Sequence, residues 1–297
     1  MDLTSIDSLS DDQVETILDE GERWAVSLRD GDGGDDRLRG RVVFNLFYEN
    51  STRTLMSFAT AAQRLGAGVV RLPVEQSSVK KGETLEDTAS TLGAMRPDAL
   101  VIRHRENGAA DRVAAIVRCP VINAGDGTNE HPTQALLDAL TIRSHFGRIE
   151  GLAVAICGDI RHSRVAHSNS KLLARLGANV RLAGPPELLP DGLPALDSVD
   201  EAMEGADVVM MLRVQRERLE RELGDQPGEY LRSFGLTAER FARAAPHAMV
   251  MHPGPMNRGV EIEDSLADDP KRALIMRQVE YGVAVRMACL DLLISGS

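Results

Sequence analysis

The sequence has few cysteines, few aromatic residues and no long apolar run. Its three cysteines are far apart and form no C-x-x-C pair, which favours neither a zinc cluster nor a disulfide framework and is typical of the reducing cytosol. Aromatic residues make up 3% of the chain, which disfavours a protein that stacks single-stranded nucleic acid. No apolar run approaches the roughly 20 residues of a membrane helix, and the acidic N-terminus lacks signal-peptide features. We therefore expect a cytoplasmic protein that binds neither nucleic acid nor membrane.

Basic residues are also outnumbered in this chain. The 34 Lys and Arg residues against 45 Asp and Glu residues give a formal net charge of −11. An acidic balance argues against a nucleic-acid-binding protein, which usually has a basic face. It argues less strongly against an anionic ligand, because net charge describes the whole surface and not one site.

Short apolar runs alternate with helix-like segments along most of the 297 residues. Most of these runs lack polar–apolar alternation, which is typical of strands buried on both faces of a parallel sheet. Strands are predicted at 42–47, 69–72, 99–103, 121–123, 152–157, 180–183, 208–212 and 249–251. We predict an α/β fold of two doubly wound domains, each a mainly parallel sheet flanked by helices. The predicted domains are 1–135, completed by a C-terminal helix at about 274–297 that packs back on it, and 136–273.

A hydroxyl-rich and basic segment, Glu-Asn-Ser-Thr-Arg-Thr at 49–54, follows the first predicted strand and opens a helix. A helix N-terminus has unpaired N–H groups and a partial positive charge, so it attracts anions. Three hydroxyls and the Arg53 guanidinium add further donors suited to phosphate. A plain N-cap is the alternative, because Ser and Thr are the usual capping residues. A cap needs one such residue, so four polar donors in a row favour a phosphate site.

Other polar clusters adjoin the predicted strands and helices. They lie at 77–84, 103–104, 123–134, 158–164, 213–215 and 252–258. Taken singly, each is compatible with a surface loop, and a lone histidine such as His131 more often caps a helix. Taken together, most of them follow the carboxyl ends of strands, where open α/β sheets bind ligands. The cluster at 158–164 has arginines where a dinucleotide fingerprint would have glycines, which favours a small anion.

In this order the clusters resemble the motifs of the aspartate carbamoyltransferase family. The matching segments are FYENSTRT (47–54), SSVKKGET (77–84), VIRH (101–104), GDGTNEHPTQALLD (125–138), GDIRHSR (158–164), RVQ (213–215) and HPGPMNRGVEI (252–262). The sequence departs from the family pattern at Ala59, where an acidic residue is usual, and at Asn50, where proline is frequent. An ornithine enzyme of the same superfamily would be expected to show H-C-L-P at 252–255, so that alternative is less favoured.

The resemblance implies that carbamoyl phosphate and L-aspartate are the substrates, with no metal or organic cofactor. The expected reaction is carbamoyl transfer to the aspartate α-amino group in de novo pyrimidine biosynthesis. By resemblance, the phosphate is held by Ser51, Thr52, Arg53 and Thr54, the carbonyl oxygen is met by Thr54, Arg103 and His131, and the carbamoyl amide by Gln134. The aspartate carboxylates are assigned to Arg164, Arg213 and Gln215, the amine to backbone carbonyls of Pro253 and Gly254, and closure of the second domain to Arg258.

The resemblance also implies a homotrimer in which Ser77 and Lys81 reach the active site of a neighbouring chain. It leaves open whether a regulatory chain or a dihydroorotase-like partner binds. Two alternatives to the leading hypothesis remain: a carbamoyltransferase for a different amine, and a non-catalytic homologue that serves as a scaffold. The intact set of site residues favours an enzyme over the scaffold.

Overall fold

The computed structural model describes residues 1–72, 82–190, 192, 195–196, 198–214 and 228–296. The chain divides into two compact units: Met1–Leu140 together with Val279–Ser297, and Thr141–Gln278. Each unit contains a four-stranded parallel sheet, so the predicted fold class is confirmed. The C-terminal helix belongs to the first unit from residue 279 onward, also as predicted. The assignment of one substrate to each predicted domain stays a prediction.

The first unit places its four strands in the spatial order β2-β1-β3-β4. Its strands are β1 (Val42–Phe47), β2 (Gly68–Leu72), β3 (Ala99–His104) and β4 (Val121–Asp126). Its helices are α1 (Asp11–Arg29), α2 (Thr52–Arg64), α3 (Leu85–Ala94), α4 (Ala109–Ala114) and the first part of α5 (Pro132–Phe146), after a short 3-10 helix at Ile6–Ser8.

Local sequence explains these elements. Ser10 and Gln13 form a capping box that begins α1, each side chain accepting the other's backbone N–H. On β1, Phe44 and Leu46 pack on one face with Leu100 of β3 in a buried apolar cluster. Such continuous burial explains why β1 shows no polar alternation in sequence.

The second unit repeats the same strand arrangement, β6-β5-β7-β8. Its strands are β5 (Ala153–Cys157), β6 (Asn179–Ala183), β7 (Val208–Met211) and β8 (Met249–Met251). Its helices are α6 (Arg164–Arg175), α7 (Val199–Met203), α8 (Glu229–Ser233), α9 (Ala238–Phe241), α10 (Asp264–Ala267) and the start of α11 (Ile275–Ser295), which continues into the first unit.

The strand order creates one switch point in each sheet. In the first sheet β1 is the neighbour of β3, with β2 on one outer side and β4 on the other. The chain therefore winds in opposite directions from β1 and from β3, and the second sheet does the same from β5 and β7. Open parallel sheets bind ligands outside the carboxyl ends of strands at such points. Each unit thus offers one expected binding position.

The region 185–196 differs in part from the surface loop that its prolines predict. It contains a 3-10 helix, Pro186–Leu188, and Leu188 is fully buried against Val214 and Tyr230. In the ranges that the structure describes, no helix combines the length and apolar character that crossing a membrane requires.

Candidate functional site

The hydroxyl-rich segment at 51–54 begins α2 directly after β1. Ser51 is the N-cap residue, yet within the described ranges its hydroxyl accepts no capping hydrogen bond. Five other α-helix caps in the described ranges do accept the N–H of the third helical residue: Ser10, Thr84, Ser163, Ser198 and Thr237. The first turn of α2 also contains no acidic residue. The plain-cap alternative therefore fails for Ser51, and the helix N-terminus keeps its positive character.

The threonine and arginine side chains of this segment differ in exposure. Thr52 and Arg53 are exposed, while Thr54 is 6% exposed. The N–H groups of the first helical turn, which have no acceptor within the helix, lie along the same segment. The segment therefore combines accessible charge with backbone and hydroxyl donors in one turn of helix, which is the chemistry that a phosphate group requires.

Arg103 stands at the end of β3, beside the segment that follows β1. The sheet register pairs it with Phe47, and Tyr48 N–H donates to the Arg103 carbonyl over 2.8 Å. Its side chain is 16% exposed, with Nε 3.4 Å from Glu49 Oε2. Its Nη1 donates to the Ala124 carbonyl of β4 over 3.1 Å. The guanidinium is thus oriented by groups from both neighbouring strands, at the switch point of the first sheet.

His131 and Gln134 lie where β4 leads into α5. His131 is 3% exposed, and its carbonyl accepts the Gln134 N–H over 2.9 Å. Pro132 takes the first helical position, where its missing N–H has no consequence. The Gln134 Nε2 donates to Asp138 Oδ1 over 3.0 Å. That bond uses one of the two amide hydrogens and orients the side-chain carbonyl oxygen of Gln134, which can accept a hydrogen bond.

His104, the residue after Arg103, is held by contacts within the first unit. His104 Nδ1 accepts the Glu106 N–H over 3.1 Å, and its ring lies edge-on to Tyr48 at 4.7 Å between centroids. Burial lowers the pKa of His104 below its ordinary value, against a smaller opposing effect of Glu106. His104 therefore favours the neutral form in the folded protein.

Sequence reasoning missed a buried cation in the first unit. Arg286 of α11 lies over the ring of Phe58 in α2, and its Nη2 is 3.5 Å from the Thr133 hydroxyl of α5. Burial lowers the pKa of Arg286 to about 10, and the opposing effects of Cys289 and Asp138 are smaller. It thus stays protonated at neutral pH and joins three helices. The only signal in the sequence was a single charged residue within the apolar stretch 283–290.

In the second unit, the arginines after β5 divide into two roles. Arg161 donates through Nε and Nη2 to the Leu189 carbonyl, over 2.9 and 2.7 Å. Ser163 caps α6 by accepting the Ala166 N–H over 3.1 Å. Arg164 is the first residue of α6 and is half-buried. Arg161 therefore fixes a loop, while Arg164 begins the helix that follows the carboxyl end of β5.

The segment that follows β7 contains Arg213, the second predicted site arginine of the second unit. Arg213 is exposed, and it makes no ion pair with any other residue that the structure describes. The next residue, Val214, is fully buried and anchors the segment. Because β7 is the neighbour of β5, Arg213 and Arg164 flank the switch point of the second sheet.

The segment 252–258 follows β8 and has mixed roles. Gly254 has φ +64°, a left-handed conformation that favours glycine, and its peptide bond to Pro255 is cis. Pro253 and Gly254 are half-buried. Arg258 is exposed and pairs with both carboxylate oxygens of Asp268 at 2.7 Å. The predicted role of Arg258 therefore competes with an existing ion pair.

Three predicted site residues lie outside the described ranges: Ser77, Lys81 and Gln215. Among the described residues, no group of three or more His, Cys, Asp or Glu side chains is arranged to hold a metal ion. The remaining predicted residues fall into two sets, one following β1, β3 and β4 and one following β5, β7 and β8.

Comparison with known proteins matches both units. The family model described as "Aspartate/ornithine carbamoyltransferase, carbamoyl-P binding domain" matches residues 1–144, and the "Asp/Orn binding domain" of the same family matches residues 150–293. The aspartate carbamoyltransferase catalytic subunit of Rhizorhabdus wittichii is 57% identical over 98% of this chain and 94% of its own length.

Two solved structures extend the comparison to folds with named ligands and activities. Aspartate transcarbamoylase from Trypanosoma cruzi, in complex with carbamoyl aspartate and phosphate, is similar with a TM-score of 0.86 and 33% identity, over 97% of this chain and 94% of that one. Ornithine carbamoyltransferase from Pyrococcus furiosus has a TM-score of 0.87 and 27% identity, over 100% and 97% of the two chains.

Proposed function

Because the chain belongs to the aspartate/ornithine carbamoyltransferase family, we propose that it transfers the carbamoyl group of carbamoyl phosphate to L-aspartate. The products are N-carbamoyl-L-aspartate and phosphate, the two molecules bound in the T. cruzi structure. The aspartate enzyme of R. wittichii shares 57% identity with this chain, against 27% for the ornithine enzyme of P. furiosus. Aspartate is therefore favoured over ornithine as the acceptor.

One observation carries the proposal for the first substrate. The segment 51–54 lies beside Arg103, at the switch point of the first sheet. Its Ser51 hydroxyl makes no capping hydrogen bond, and its Arg53 is exposed. We assign Ser51, Thr52, Arg53 and Thr54 to the phosphate group, which would accept hydrogen bonds from their hydroxyls, guanidinium and N–H groups. Binding there would place the carbamoyl carbon toward Arg103 and His131.

The carbonyl oxygen gains negative charge when the amine attacks. Thr54, Arg103 and His131 are assigned to stabilise that charge, and one well-placed donor of this kind is worth ~3 kcal/mol of barrier. The Gln134 side-chain oxygen would accept a hydrogen bond from the carbamoyl NH2 group, since its nitrogen is already bonded to Asp138. Held on both sides, the carbonyl carbon would present one face to the incoming amine.

The second unit is assigned to aspartate. Arg164 and Arg213 flank its switch point, and two guanidinium groups suit a dicarboxylate because each can bind one carboxylate bidentately. Gln215 is assigned to the same substrate by resemblance alone. The backbone carbonyls of Pro253 and Gly254 would accept hydrogen bonds from the amine. Arg258 stays a prediction, because using it would require release of Asp268.

The reaction forms one bond and breaks one. The aspartate nitrogen attacks the carbamoyl carbon, the bond from that carbon to the phosphate oxygen breaks, and the leaving phosphate takes the proton from nitrogen. No residue of the site needs to act as a strong base in this scheme. Most of the rate gain would come from positioning and from charge stabilisation.

Assembly, pathway and location extend the proposal on the resemblance alone. We propose a cytoplasmic homotrimer in de novo pyrimidine biosynthesis, with Ser77 and Lys81 acting on the site of a neighbouring chain. The wider assembly, with a regulatory chain or a dihydroorotase-like partner, is open to native mass measurement.

Initial rates with carbamoyl phosphate and a panel of amines test the proposal. Aspartate should be the preferred acceptor, with ornithine and other amino acids turned over far more slowly. Preferred turnover of ornithine would favour the related activity, and no turnover with any amine would favour the non-catalytic alternative.

A further inference from the structure

A carboxylate outside the predicted site lies buried below the segment 252–258. The side chain of Glu261 is fully buried, and so is that of His252. Glu261 Oε1 accepts the backbone N–H of Asn257. The same oxygen lies 3.3 Å from His252 Nε2. One carboxylate oxygen thus contacts both ends of the segment.

His252 in turn bonds Gly254, one of the two residues whose carbonyls are proposed to meet the amine. His252 Nδ1 accepts the Gly254 N–H over 2.8 Å. A ring nitrogen that accepts carries no hydrogen, so in the neutral ring the hydrogen is on Nε2, which faces Glu261. The peptide plane that carries the Pro253 carbonyl is therefore hydrogen-bonded to His252, whose other ring nitrogen contacts Glu261 at 3.3 Å without a hydrogen bond.

Asn257 in turn bonds the segment that contains Arg213. Asn257 Nδ2 donates to the Val214 carbonyl over 2.8 Å. Val214 is fully buried and directly follows Arg213. The segments that follow β7 and β8 are thus joined through the residue whose N–H is held by Glu261.

Glu261 is itself held by the fold. Its carbonyl accepts the Leu236 N–H over 2.9 Å, and Ile262 forms a bridge with Leu236. Burial of polar side chains such as these adds little stability compared with apolar residues of the same volume. Stability therefore explains this arrangement less well than positioning does.

We propose that Glu261 is a positioning residue for the amine substrate, holding Pro253–Gly254 through His252 and Arg213 through Asn257. The inference rests on the proposed function, since both held segments are the ones assigned to aspartate. Loss of this anchor would disturb two contacts to aspartate at once and leave the residues assigned to carbamoyl phosphate in place.

The test compares three variants by initial rates with both substrates varied. Glu261→Ala removes the shared acceptor and should raise KM for aspartate about tenfold or more, while KM for carbamoyl phosphate changes less than about twofold. Glu261→Gln keeps an acceptor oxygen and should restore most of the aspartate affinity. Glu263→Ala is the matched control, because this carboxylate two residues on accepts only the Ala238 N–H of α9 in its described hydrogen bonds.

A purely structural role predicts a different pattern. The Tm of Glu261→Ala would then be lower than that of wild type, while both KM values stayed at wild-type levels. That result would overturn the proposal. If Glu261→Ala fails to fold, Asn257→Ala decides, because it removes only the bond to Val214 from a half-buried side chain. An unchanged KM for aspartate in that variant would also overturn it. Wild-type protein that turns over no aspartate would instead refute the proposed function.

Discussion

The side-chain nitrogen of Gln134 lies 3.0 Å from Oδ1 of Asp138, one turn further along α5. Because a carboxylate only accepts, this contact fixes which end of the Gln134 amide faces Asp138. The side-chain oxygen of Gln134 can accept a hydrogen bond from the NH2 group of a carbamoyl substrate, but not from a carbonyl group, which has no hydrogen to donate.

Gln134→Glu should therefore damage the reaction more than Gln134→Ala. The glutamate cannot donate to Asp138, and it adds a second negative charge beside a buried carboxylate. We expect kcat/KM for carbamoyl phosphate to fall about tenfold for alanine and further for glutamate. Gln63→Glu, the same change at an exposed position of α2, is the control. Equal kinetics for Gln134→Glu and the control would refute the role of Gln134.

The Ser51 hydroxyl makes no capping hydrogen bond, so its removal should weaken substrate binding without lowering stability. Ser51→Ala should leave the free energy of unfolding within a few tenths of a kcal/mol of wild type, because no capping bond is lost. It should raise KM for carbamoyl phosphate, because a donor to the phosphate is lost. Ser10→Ala should do the reverse, losing ~1 kcal/mol of unfolding free energy with KM unchanged. Urea unfolding and initial rates on both variants measure this, and a stability loss for Ser51→Ala would restore the plain-cap interpretation.

The buried ring of His104 predicts a pH dependence of stability. Burial lowers its pKa in the folded state below the ordinary value of 6.5. In the unfolded chain the ring binds a proton as the pH falls through 6.5, while the folded form binds it only at lower pH. The free energy of unfolding should therefore fall as the pH drops below about 6.5.

His104→Asn tests this prediction, since asparagine keeps an acceptor for the Glu106 N–H. Its unfolding free energy, measured in urea at pH 7.5 and 5.5, should fall less on acidification than that of wild type. An equal fall in both proteins would show that His104 does not contribute to this pH dependence.

The predicted trimer can be tested by mixing two inactive proteins. If Lys81 acts on a neighbouring chain, Arg53→Ala and Lys81→Ala will each be nearly inactive alone. After the subunits are dissociated and reassembled together, some sites will contain both native residues and activity will return. No recovery in mixed oligomers of confirmed mass would contradict a shared site.

The elements themselves were largely predictable from sequence. The prediction for β1 was 42–47, and the strand is Val42–Phe47. The strand predicted at 121–123 continues to Asp126, although Gly125 and Asp126 are poor strand formers, because Asp126 is buried and its carboxylate accepts several hydrogen bonds. Helix α4 ends at Ala114, since the Ile116 N–H bonds the Val113 carbonyl and tightens the chain into a turn.

The arrangement of the candidate site was less accessible to sequence reasoning. Nothing in a local pattern distinguishes Ser51 from the caps that are bonded, or Arg164 from Arg161, which is committed to the Leu189 carbonyl. The link between Asn257 and Val214 joins residues 43 positions apart in the chain, and such contacts depend on strand order. Sequence motifs therefore identified candidate residues, and the fold separated those committed to loop contacts from those that remain candidates for substrate binding.

The most direct measurement follows the new bond itself. Carbamoyl phosphate labelled with carbon-13 in its carbonyl group is incubated with aspartate labelled with nitrogen-15, and the product is observed by NMR. Carbamoyl transfer to the α-amino group predicts a carbonyl signal split by its bonded nitrogen-15, with release of one phosphate per product. Phosphate release without that splitting, or an equal rate of coupled product with labelled ornithine, would contradict the account.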